Sequence, residues 1–131
     1  MMKIIFTLCL AVSFVMIGAL VAGAQSKTES KVLRHVVLFK FKDTSTPEDV
    51  KKVEAAFAAL PGKLPLIKGY EWGKNNSPEN LNQGLTHCFL LTFSNEKDRD
   101  AYLVHPEHKA FGKILGPHLD KVTVVDYWTE K

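Results

Sequence analysis

At 131 residues, 24% charged and 46% hydrophobic, the chain has material for one small domain and a leader, not for two domains. Its 17 basic residues are scattered rather than striped and the formal charge is only +3, which excludes a nucleic-acid footprint. One of the two cysteines, Cys9, lies in an N-terminal apolar run, so the rest of the chain holds a single thiol and no internal disulfide.

The N-terminus reads as a secretory signal over residues 1–24. Lys3 supplies the positive start, an apolar run follows, and Ala22-Gly23-Ala24 offers the small residues a signal peptidase cuts after. The run is also long enough to span a membrane, so an uncleaved anchor is the alternative. Cleavage removes Lys3 and takes the charge from +3 to +2. Residues 25–32 form a polar linker, residues 33–128 the folded domain, and residues 129–131 a tail. The expected location is periplasmic or extracellular, with no stable membrane association after cleavage.

Leu33 to Phe41, LRHVVLFKF, is a strand with apolar residues on both alternating faces, and so is covered on both sides. TPEDVKKVEAAFAAL is a helix: Thr46 caps it, Pro47 suits its first turn, and Val50, Val53, Phe57 and Leu60 form one stripe. Pro61-Gly62 is expected to stop it. A strand follows near Ile67 to Trp72, then a turn-rich loop, then a strand over LTHCFLLTF. SNEKDRDAYLV opens a helix with a serine or asparagine cap, Pro106 opens a further helical segment ending near Gly116-Pro117, and VTVVDYW is a last strand. The order βαββαβ is that of an α+β, ferredoxin-like fold with helices on one face of an antiparallel sheet.

Val36, Leu38, Cys88 and Leu90 make the opposite sheet face apolar as well. An uncovered apolar face marks an association site, so the expected partner is a second copy packed sheet to sheet.

Four histidines carry whatever chemistry there is. His35 and His87 sit mid-strand among large apolar neighbours, where an imidazole either finds a hydrogen-bond partner or borders a cavity. His105 and His108 flank Pro106 in HPEH: His105 stands at the helix cap, and His108 in the first turn beside Tyr102 of the preceding helix. The positive end of a helix disfavours a charged ring, so His108 stays neutral and suits a base. A proline inside HxxH, with no acidic or cysteine partner at ligand spacing, argues against zinc. No nucleophile elbow occurs. No metal and no cofactor is expected.

HVVLFKFKD, YEWGKNNSPENLNQGLTHCFLLTF, DRDAYLVHPEHKAF and the terminal VVDY together resemble the stress-responsive α/β-barrel (Dabb) family, over nearly all of the domain. The resemblance implies a dimeric α+β barrel. Some plant members are polyketide cyclases of the olivetolic acid type, similar to this chain at His35, His87, Tyr102 and His108. In them a histidine matching His108 is the base of an aldol-type ring closure and a tyrosine matching Tyr102 holds the substrate. Phe57 stands where those cyclases carry a pocket tyrosine.

Three functions follow. The chain is a dimeric binder of a small apolar or aromatic ligand held between sheet and helices by His35, His87, Phe57 and Phe89. Alternatively it is a polyketide cyclase-like enzyme using His108 and Tyr102, or a purely structural stress protein. Export carries its own test. The mature protein should have the mass of a chain beginning at Gln25, whereas a mass that retains Met1 to Ala24 means an anchor.

Overall fold

The computed structural model describes residues 30–130; the segment read as a signal, most of the expected linker and Lys131 lie outside the described residues. Strands β1 (Leu33–Phe41), β2 (Gly69–Lys74), β3 (His87–Phe93) and β4 (Leu119–Trp128) form one antiparallel sheet in the order β2-β3-β1-β4. Helices α1 (Pro47–Ala58), α2 (Leu60–Lys63), α3 (Glu96–Val104) and α4 (Pro106–Leu115) cover one face, and a 3-10 turn over Gly116–His118 leads into β4. This is the ferredoxin-like α+β arrangement the element order predicts.

Each long helix starts on a side-chain cap. Thr46 accepts from the Asp49 amide, and the Asp49 carboxylate reaches back to the Thr46 amide, closing a capping box. Asn95 accepts from the Asp98 amide and opens α3. Pro61-Gly62 does not stop the first helix as expected. The break falls at Ala59, and LPGK adds one further helical turn. Pro61 fits there because the second position of a helix has no carbonyl for its missing N–H to serve. The second strand begins two residues later than the sequence suggests, because the Ile67 amide is used in a turn to the Leu64 carbonyl.

The alternation of β1 is obeyed residue by residue. Leu33, His35, Val37 and Phe39 are buried beneath the helices, while Arg34, Val36, Leu38 and Lys40 point to the other side and are half-buried. Under the helices, Phe57 stacks on Phe89 at 4.3 Å between ring centroids, with Phe39 and Phe111 against the same pair. Burying such rings contributes heavily to the stability of so small a domain. The far sheet face carries Val36, Leu38 and Leu90, joined by Val125 and Tyr127 of β4, which are 50% and 46% exposed.

Candidate functional site

A cavity of about 330 Å³ lies between the β1–β4 half of the sheet and helices α3 and α4. Phe57, Phe111, Leu115, Val122 and Val124 give it an apolar wall, and His35, Tyr102, His108 and Asp126 are its polar groups. The fold brings them together for simple reasons. His35 and Asp126 face one another in the β1–β4 register. Tyr102 ends α3 and His108 begins α4, and the break at His105-Pro106 turns the chain so that their rings lie 4.4 Å apart.

His35 is almost wholly buried, and its Nδ1–H donates to Asp126 Oδ1 at 2.6 Å. The other carboxylate oxygen of Asp126 accepts from Arg99 Nη1, also at 2.6 Å. A carboxylate accepts but does not donate, so this contact assigns the Nδ1 proton and leaves His35 Nε2 without one in the neutral ring. The same logic holds for His108, whose Nδ1–H donates to the Leu103 carbonyl at 3.1 Å. The neutral His108 ring therefore offers an Nε2 lone pair at the cavity, and Tyr102 offers a hydroxyl.

Burial disfavours the charged form of His108 and lowers its pKa below the ordinary 6.5; the Leu103 carbonyl works the other way and is outweighed, while His35 adds to the lowering. Burial pushes the Tyr102 phenol far up, so it stays a donor at all working pH.

His87 and Phe89, expected in the same pocket wall, lie elsewhere. His87 donates from Nε2 to Glu54 Oε1 at 3.0 Å and accepts at Nδ1 from the Thr86 hydroxyl at 2.8 Å, so both ring nitrogens are used. Burial raises the pKa of Glu54, but His87 and Lys74 lower it by more, which keeps the carboxylate charged. His87 borders a second cavity, of about 380 Å³, under the loop between β2 and β3. Phe89 is fully buried behind Phe57. The physical reason is shared: β3 runs beneath α1, where the stacked rings leave no space, and the open volume is over β4 instead.

His105 is the cap. Its Nδ1 accepts from the Glu107 amide at 3.1 Å, while α4 runs from Pro106. Asp126 and Arg99 were not singled out from sequence. The signal was present in VVDY, where an acid replaces a β-branched residue at the parity of Val122 and Val124.

Over residues 33–129 the chain matches the family model described as the stress responsive A/B barrel domain. It is 40% identical over 95 residues to the stress-response A/B barrel domain-containing protein HS1 of Arabidopsis thaliana, covering 72% of this chain and 87% of that one. It is 28% identical over 99 residues to the olivetolic acid cyclase of Cannabis sativa, covering 76% and 98% respectively. Among solved structures, a dimeric protein of unknown function and ferredoxin-like fold from Bacteroides fragilis superposes with a TM-score of 0.60 at 34% identity, over 73% of this chain and 94% of that one.

The two histidines of HPEH separate in a melting experiment. His105→Ala should lower stability by about 1 kcal/mol, the usual worth of a helix cap, while His108→Ala should melt near the parent at neutral pH. The pH dependence has a definite sign. Above 6.5 the His108 ring is neutral in both folded and unfolded chains; below it the unfolded chain takes the proton first, so stability falls with acid. His108→Ala should therefore flatten the decline in melting temperature between about pH 7 and about pH 5. A decline as steep as the parent's would show that His108 titrates normally.

Proposed function

The chain belongs to the stress-responsive A/B barrel domain family, and on that premise we propose that it is an exported homodimer whose subunits each bind a small, largely apolar or aromatic ligand between sheet and helices. The observation that carries the reading is the cavity over β1 and β4. Its volume of about 330 Å³ lies at the small end of the roughly 300–1,000 Å³ of ligand sites, and such sites combine an apolar wall with a few convergent polar groups. Phe57, Phe111 and Leu115 suit the faces of a flat ring; His35, His108 and Tyr102 suit its oxygen substituents.

A second reading, a cyclase-like activity, has one observation in its favour. His108 is held neutral with its free lone pair on Nε2, which is the state a proton-abstracting base needs. In that reaction Nε2 takes a proton next to a ligand carbonyl, and the electron pair moves onto the carbonyl oxygen, stabilised by the Tyr102 O–H. The resulting enolate carbon then closes onto a second carbonyl of the same molecule. The olivetolic acid cyclase among the relatives supports the reading.

Titration with small aromatic and β-diketone compounds tests both. The parent should bind, and His108→Ala should bind about tenfold more weakly, which corresponds to the ~1.4 kcal/mol of one hydrogen bond. Product from a β-polyketone with the parent but not with His108→Ala establishes the enzyme; no binding by the parent leaves a structural stress protein.

The dimer rests on the apolar outer sheet face and on neighbours of the same fold described as dimeric. Leu38 lies mid-face, half-buried and without helix cover. Leu38→Glu should leave the subunit folded but place an unpaired charge in the interface. Light scattering should then report a monomer, and an unchanged dimer would move the interface to another surface.

A further inference from the structure

Tyr70 stands on β2 in the cross-strand row of Leu91, His35 and Asp126, so its side chain enters the helix-facing side of the sheet. Its hydroxyl oxygen is fully enclosed and has no hydrogen-bond partner among the described residues. Buried tyrosine hydroxyls ordinarily find one, and an unpaired one costs stability that phenylalanine in the same space would not. The fold thus carries this oxygen at a loss.

Its neighbours are two walls of the ligand cavity. The Phe57 ring is 5.7 Å from the Tyr70 ring, tilted by 49°. Tyr102 is close enough for Tyr70 to contribute to the rise in its pKa. The Tyr70 phenol is itself pushed up to about 12, first by burial and then by the Glu54 carboxylate, so it remains a neutral O–H. Phe57 lines the cavity and lies against the Tyr70 ring, so reaching this oxygen from the cavity requires the Phe57 ring to turn aside.

We infer that Tyr70 is a second polar anchor of the same cavity, pairing with an oxygen at the inner end of an aromatic ligand whose outer hydroxyl donates to His108. The inference rests on the binding function proposed above and narrows its ligand class. The neutral His108 ring presents an acceptor at Nε2, so the outer substituent is a phenolic or enolic hydroxyl. The inner one is a carbonyl or hydroxyl that takes the Tyr70 O–H. A ring with a single polar end leaves Tyr70 unpaired and binds less well.

4-Hydroxyacetophenone and 4-isopropylphenol are of similar size, and only the first carries a carbonyl opposite its hydroxyl. With the parent, 4-hydroxyacetophenone should bind the more tightly. Tyr70→Phe should weaken it about tenfold, the effect of one hydrogen bond, and leave 4-isopropylphenol unchanged. The ligand-free Tyr70→Phe protein should melt no lower than the parent. A lower melting temperature would mean that the hydroxyl has a structural partner, and the inference would fall. Equal affinities of parent and Tyr70→Phe for 4-hydroxyacetophenone, with His108→Ala still impaired, would overturn the anchor and leave the binding function standing. If the parent bound neither compound and no other aromatic or β-diketone, both would fall together.

Discussion

The stacked pair Phe57 and Phe89, 4.3 Å apart, decides where this molecule has room. A helix layer laid on a twisted sheet does not follow it everywhere, and side chains must fill the wedge between them. Over β3 the wedge is filled by rings: Phe89 from below, Phe57 from α1 above, with Phe39 and Phe111 at the flanks. Over β4 the residues are valines and an aspartate, too short to reach α4. The two halves of one interface thus differ in the side chains that fill them. The first is a packed core and the second a cavity, and Phe57 belongs to both.

Polar groups survive in that setting because they are chained. An isolated imidazole at the position of His35 would pay the cost of leaving water. Asp126 offsets it with a short hydrogen bond, and Arg99 neutralises Asp126 from α3. The chain ties β1, β4 and α3 to one another across the cavity edge. It also places a proton on His35 Nδ1. The same two contacts thus tie the sheet edge to α3 and orient the His35 ring.

Much of this was legible in the sequence, for identifiable reasons. The strict alternation of LRHVVLFKF fixed both faces of β1, and HPEH fixed the helix break, since proline dictates where a helix starts. The positions of Tyr102 and His108 followed from that break. What could not be read was the separation of His87 from His35. Both alternate onto the same sheet face, and parity says nothing about which part of that face is open. That depends on strand order and on the reach of the covering side chains, which are properties of the packed whole. Asp126 escaped notice for a related reason, because its role exists only through a partner on another strand. Pro61-Gly62 misled as a stop signal because proline is as acceptable in the first turn of a new helix as it is disruptive inside one.

Strand β4 links the two surfaces that matter. It is an edge strand, paired on one side to β1. Its residues alternate between the cavity, where Val122, Val124 and Asp126 face, and the outer sheet face, where Thr123, Val125 and Tyr127 lie. Val124 and Val125 are both about half exposed in the single subunit. In the proposed dimer the outer set is covered by the second copy, and the strand loses freedom to move away from β1. Under the proposed function, a ligand against Val122 and Val124 would meet a strand held from outside by the second copy. Linkage makes such an effect reciprocal: whatever the dimer adds to ligand affinity, the ligand adds to dimer affinity. A single strand of alternating parity thus carries apolar residues of the outer sheet face and, on the inner face, Val122, Val124 and Asp126, the hydrogen-bond partner of His35.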